Sequence, residues 1–328
     1  MAMATLCRVL LLLLNFQVCI LASFISIRGL GVGINYGQIA NDLRAPSRVA
    51  SLLSSLNITR VKLYDTDPNV LSAFANTQVE FVIGLGNELL QKMSDPSQAQ
   101  AWLEQHVKPY TSQTKITCIT VGSEVLTGNN TQHLIPYLLP AMQSVNSAVT
   151  NIGLNKEISE TTAHSFAILS SSFPAGSCRA SPDEISLSYA LFQPSPGTID
   201  ATTNLHYDNM LFAQIDAVYA AIKAMEHTDI QVKVSETGWP SKGDVDEDLK
   251  TGPVSEQNYG LFYLDGTPVY NVGLQGYIPP PRDVFLELVA RSRCIISSFS
   301  IARTSLSSEL QVRSRWGEQG GFQTKDDF

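Results

Sequence analysis

The chain has 328 residues, of which 44 % are hydrophobic and 16 % charged, so it is long enough to bury a sizeable core. A net charge of −8 argues against a nucleic-acid partner, whose phosphates favour a basic face. Five cysteines, two of them (Cys7 and Cys19) near the N-terminus, exclude a disulfide scaffold, and none stands with histidine at metal-ligand spacing. Neither a metal nor a cofactor is expected, and no obligate protein partner is implied.

In chain order, the first segment reads as a targeting signal. Arg8 precedes VLLLLLNFQVCILASF, and small residues follow at Ala22 and Ser23, the pattern of a secretory signal peptide over residues 1–28. No later run is apolar and long enough to cross a bilayer. The expected location is secreted, in the apoplast or cell wall. Two sequons, at Asn57 and Asn129, are compatible with glycosylation on that route.

From residue 29 to about 280, short β-rich runs alternate with helical ones. GVGINYG, RVKLYD, VEFVIGL and KITCITVGSE read as strands, KEISETTAH as a weaker fifth, and IQVKVSE (230–236) as a late one. PSRVASLLSSL, NVLSAFAN, SDPSQAQAWLEQHVKPY, a stretch within TQHLIPYLLPAMQSVNSAV, and NMLFAQIDAVYAAIKAM read as helices, the third capped by Ser94 or Asp95 with Pro96 in its first turn. This alternation predicts a parallel sheet with helical crossovers. No Gly-rich phosphate loop opens the first helix, which argues against a dinucleotide fold. Polar residues gather at strand C-termini (Asn35, Tyr36, Asp65, Glu124, His164, Glu236), where a (β/α)₈ TIM barrel builds its site. Only six strands are convincing. The stretch between His164 and His206 reads as loop, and 241–259 is polar, so about two βα units are missing. Residues 281–328 read as an atypical, disordered tail without a membrane-anchor signal.

Two carboxylates stand out. Glu124 closes TCITVGSE and Glu236 closes IQVKVSE, each an acid at the end of an apolar strand next to a turn signal. Paired carboxylates across a cleft are the minimal equipment of a glycosidase. A separation of about 5–5.5 Å would imply retention of configuration and about 6.5–9.5 Å inversion. The competing reading is two capping acids. Tyr36, Tyr64, Tyr207 and Trp239 flank strand ends, where their rings would stack on sugars or line a core edge.

INYGQIANDL, RVKLYDTDPNVLSAFA, FVIGLGNELL, ITCITVGSEVLT, TTAHS, NLHYDNM and SETGWPSKGD, in this order from about Gly31 to Tyr277, resemble the plant glucan endo-1,3-β-glucosidases of glycoside hydrolase family 17. The resemblance implies a barrel, a retaining mechanism and a β-1,3-glucan substrate of callose or laminarin type. It assigns Glu236 as nucleophile and Glu124 as general acid/base, with Tyr36 and Tyr64 lining the cleft. Three departures accompany it. Ser123 stands where the family reads Asn in VGNEV, an amide placed to bond the sugar 2-hydroxyl. An Asn-Ala-Tyr-Pro-Phe-like strand after Ser165 is absent. The final helix and strand are reduced to DEDLK, whose Glu247 and Lys250 fall on substrate-binding positions. The expectation is an incomplete barrel whose activity is compromised; the alternative is an inactive glucan-binding or truncated member of the family.

Overall fold

The computed structural model describes residues 33–39, 43–128, 130–169, 186–190, 193–200, 203–227, 229–238, 260–262 and 295–303, the last as backbone. Strand β1 (Ile34–Tyr36) leads to α1 (Pro46–Ser55), β2 (Arg60–Leu63), α2 (Pro68–Ala73) and β3 (Glu80–Leu85). A 3₁₀ turn (Asn87–Leu89) opens α3 (Leu90–Met93), followed by α4 (Pro96–His106), β4 (Lys115–Ser123), α5 (Ile135–Asn151) and β5 (Ser159–His164). Beyond it lie α6 (Leu187–Ala190), a two-strand pairing of β6 (Thr198–Ile199) with β7 (His206–Tyr207), α7 (Met210–Ala224), β8 (Ile230–Gly238) and β9 (Ile295–Arg303).

Local chemistry sets the helix starts. Pro46, Pro68 and Pro96 each stand in a first turn, where a missing N–H costs nothing and the fixed φ is already helical. Asp67 and Asp95 accept hydrogen bonds from the N–H groups of Asn69 (2.7 Å) and Ser97 (2.8 Å), and Asn209 caps α7 through Phe212 N–H (3.1 Å). Of the two caps the sequence offered for α4, the structure uses Asp95.

Strands β1 to β5 pair in parallel and in sequence order. Alternation then separates two faces. Val61, Leu63, Phe81, Ile83, Ile119 and Val121 belong to the main core, which they share with Val70, Phe74, Leu103 and Val145 of the covering helices. Phe74 meets Phe81 edge-on, with ring centroids 5.1 Å apart. On the opposite face the register aligns Lys62, Val82, Cys118 and Ser159 in one row, and Gly84, Thr120 and Thr161 in the next. A second, smaller core joins α7 (Leu211, Val218, Ile222) to Ile230 and Val232 of β8.

The sheet has seven strands in the order β1-β2-β3-β4-β5-β9-β8. The fold is an incomplete (β/α)₈ barrel, with β8 running in the same sense as β1–β5. Strand β9 is antiparallel to both neighbours, β5 and β8. It comes from the segment read from sequence as a disordered tail. Apolar and small residues alternate from Ser298 to Ala302, which suits a two-sided strand, and two open sheet edges otherwise exposed their backbone groups. The region 165–206, read as loop, contributes the short helix α6 and the β6–β7 pairing.

Candidate active site

The C-terminal ends of β1, β2, β4 and β8 converge through side chains. Lys62, buried in β2, donates from Nζ to Glu236 Oε1 at 2.7 Å and to Ser235 Oγ at 2.7 Å. Asn35 of β1 donates from Nδ2 to the Ser235 carbonyl at 3.3 Å. These contacts tie the first two strands to the eighth across the sheet opening. Lys62 Nζ also stands 4.7 Å from the centroid of the Tyr64 ring, a cation–π distance. The Tyr64 phenol is pushed well above its ordinary value, first by burial, then by the charge of Glu236 and a hydrogen bond to it. A hydrogen bond with Asn35 works in the opposite direction.

Glu124 follows the last residue of β4. Its carboxyl is raised from its ordinary value by burial first and by the negative charge of Glu236 second, while Lys62 pulls it down. The two acids therefore sense each other although they come from strands far apart in sequence. Lys62 is the cation common to both. Glu124 has a positive φ of 53°, a conformation uncommon outside glycine, and the preceding Gly122 has φ 67°. The kink turns the acid away from the regular pleat at the strand end. His164, at the end of β5, is mostly buried, and burial holds its pKa down to about 4, so its imidazole is neutral above that pH.

The structure brings together Glu124, Glu236 and Tyr64 of the expected residues. Tyr36 is placed otherwise: the β1–β2 register pairs it with Leu63 on the helix-facing side, it packs against the main core, and its charged neighbour is Asp67. Period-two alternation decides this, since Asn35 holds the inward position. Tyr207 does not serve as an open sugar platform. It is buried, packs with Tyr189 and Met210, and its hydroxyl donates to Asp216 Oδ2 at 2.9 Å. Ser123 is held through its backbone by Asn87. Trp239, Glu247 and Lys250, and Asn129 of the second sequon, lie outside the described residues. Asn57 is exposed on the turn after α1. Among the described residues no His, Cys, Asp or Glu cluster could hold a metal ion, and no helix is long and apolar enough to cross a membrane.

Comparison with known proteins gives the family. The family model described as glycosyl hydrolases family 17 matches residues 32–181 and 177–246. This chain belongs to glycosyl hydrolases family 17. It is 49 % identical to glucan endo-1,3-beta-glucosidase 14 of Arabidopsis thaliana, with 77 % of this chain and 84 % of the relative covered. Identity to glucan endo-1,3-beta-glucosidase 11 of the same plant is 41 %, covering 74 % of this chain and 75 % of the relative. Among solved structures, CJP38, a beta-1,3-glucanase and allergen of Cryptomeria japonica pollen, superposes with a TM-score of 0.69 at 26 % identity, covering 76 % of this chain and all of that one. The first alignment runs over 331 positions yet takes in only 77 % of a 328-residue chain, so a substantial stretch of the relative lies opposite gaps. Internal segments of the family are missing here, and the two-piece family match is what such a gap produces.

Three members of the site escaped the sequence reading. Lys62 left a signal in RVKLYD, where a lysine between two core positions of one strand must find a partner or pay for desolvation. Ser235, and Asn87 in LGNEL, left none, because a serine or asparagine at a strand end is ordinarily a turn residue.

Proposed function

We propose that this chain is a secreted, retaining endo-hydrolase of β-1,3-glucan in which Glu236 is the nucleophile and Glu124 the general acid/base. One observation carries the reading: acids from β4 and β8 lie within electrostatic reach, the first with its pKa raised by burial and the second paired to Lys62. Such divergent environments are how paired carboxyls take different roles. In the first step Glu236 attacks the anomeric carbon and the bond to the leaving oxygen breaks. That oxygen takes the electron pair and the proton of Glu124. In the second step Glu124 removes a proton from water, the water oxygen bonds to the anomeric carbon, and Glu236 is released as carboxylate. Lys62 orients Glu236 through its 2.7 Å hydrogen bond, and the half-exposed Tyr64 offers a ring beside it. The curated relatives named above carry the name of the same activity, which supports the substrate class.

The test is release of reducing ends from laminarin by the mature chain. Glu236→Ala should lower the rate by on the order of 10⁴-fold or more, since the covalent step runs through this carboxylate. The first-formed anomer, followed by NMR, should keep the β configuration. Retained activity in Glu236→Ala, or an α product, overturns the assignment. A second reading, an inactive glucan-binding protein, is favoured by the antiparallel β9 within a barrel otherwise built of parallel strands. It is the result if the intact chain melts cooperatively and binds laminarin without cleaving it. Secretion and glycosylation at the exposed Asn57 belong to the same proposal and are checked by the N-terminal sequence and mass of the protein recovered from apoplastic fluid.

A further inference from the structure

The backbone that carries Glu124 is clamped from both sides. On the β3 side, Asn87 Oδ1 accepts a hydrogen bond from Ser123 N–H at 2.8 Å, and Asn87 Nδ2 donates to the Ser123 carbonyl at 2.9 Å. One side-chain amide thus satisfies both backbone groups of one residue, as a neighbouring strand would. On the β5 side, Glu124 N–H donates to the Ala163 carbonyl at 2.9 Å. Between these holds the chain turns left-handed at Gly122 (φ 67°) and again at Glu124 (φ 53°). A non-glycine residue keeps such a φ only where its surroundings over-determine it. The fit is close: a Cβ at Gly122 would stand 3.0 Å from Asn87 Oδ1.

We propose that Asn87 is a positioning residue for the acid step: its amide fixes the left-handed end of β4 and thereby aims the Glu124 carboxyl at the leaving oxygen. This rests on the reading of Glu124 as general acid/base. Asn87 itself need not touch substrate. Its chemistry is specific, because only a group that donates and accepts side by side matches an N–H and a C=O of one residue.

The experiment compares laminarin with 2,4-dinitrophenyl β-laminaritrioside, whose leaving phenolate needs no proton. Asn87→Ala should lower kcat on laminarin by on the order of 100-fold, the scale of a catalytic group displaced by about 1 Å. On the dinitrophenyl substrate kcat/KM, which reports the first step alone, should fall less than ~5-fold because that leaving group needs no acid, while kcat and KM fall together because Glu124 still serves as base in the second step. An equal loss of kcat/KM on both substrates with an unchanged thermal midpoint would overturn the proposal. Asn87→Asp covers the case in which the alanine variant is too unstable to assay. Protonated, an aspartic acid presents the same donor and acceptor pair; ionised, it sets an acceptor against the Ser123 carbonyl. Its laminarin activity relative to wild type should therefore rise as pH falls, and a ratio independent of pH would count against the clamp. Glu124→Ala, run alongside, separates the two ideas. If it shows no preference for the dinitrophenyl substrate, the acid/base assignment fails; if it does and neither Asn87 variant behaves as described, the positioning role alone is wrong.

Discussion

At the scale of single residues, Lys62 decides the electrostatics of the site. A buried ammonium is tolerated in β2 because Glu236 and Ser235 accept its hydrogen bonds at 2.7 Å. Removing it leaves Glu236 without its cation, and Lys62→Met should destabilise the fold by about 1–3 kcal/mol, less than a fully buried pair because Glu236 keeps partial solvent access. The pH profile gives a sharper check. Glu124 must be protonated for the first step, so its raised pKa extends activity toward higher pH. Lys62 lowers that pKa, hence Lys62→Met should move the alkaline limb of kcat/KM upward while reducing its height. An alkaline limb that stays in place, or moves down, would show that Lys62 does not act on Glu124. The same shift has a cost in stability. An acid whose folded pKa lies above its unfolded one contributes stability below its ordinary value of 4.5 that is lost as pH rises through the folded value. Glu124→Gln should consequently stabilise the protein near neutral pH while abolishing proton donation, measurable as a higher midpoint in urea at pH 7 than at pH 4 relative to wild type.

At the scale of elements, the two ends of the strands have different chemistry. At the N-terminal ends, Glu80 accepts from Lys115 Nζ at 2.7 Å and from Arg60 Nε at 3.3 Å, and its carboxyl is held below the ordinary value chiefly by the Lys115 hydrogen bond. This exposed trio joins β2, β3 and β4, and with that exposure it adds little energy. At the C-terminal ends close approach matters more. A Cβ on Gly84 would fall 2.3 Å from the Tyr64 carbonyl oxygen and 2.5 Å from its carbon, both backbone atoms that cannot swing aside. Gly84→Ala should therefore cost about 1–3 kcal/mol, the range for overpacking. Because the displaced residue is Tyr64, kcat/KM on laminarin should fall with it. An unchanged denaturation midpoint would mean that β2 and β3 are not packed this tightly.

At the scale of the whole molecule, the question is how a barrel missing internal units keeps a continuous sheet. The answer in this structure is β9. Ser300 stands opposite Ala163 of β5 and Lys233 of β8, so one residue of the C-terminal segment bridges two strands that have lost the units between them. Proline there would remove a ladder N–H and clash inside the sheet. Ser300→Pro should lower stability by on the order of 3 kcal/mol, read from the urea midpoint. Should the midpoint not move, 295–303 would not be a stave in solution and the sheet would end at β5.

Most of the scaffold was legible in residues 31–164, where strands and helices carry strong local signals: alternating apolar residues in the strands, and Asp95 with Pro96 at the start of α4. The two acids were legible for the same reason, each ending an apolar strand beside a turn signal. Local pattern also gave Lys62 away, although only in hindsight. The rest depended on contacts between distant residues. Nothing in KITCITVGSE shows that Asn87 grips Ser123, and nothing in IISSFSIAR names β5 and β8 as partners, because a strand's neighbours are set by which edges are left open. Asn35 faces the site and Tyr36 does not for a comparable reason: adjacent residues of a strand point to opposite faces, and only the register with Leu63 and Lys62 says which face is the site. Sequence determined the elements and the chemistry available; tertiary pairing decided which side chains meet, since hydrogen bonds and charges act over a few ångströms whatever the separation along the chain.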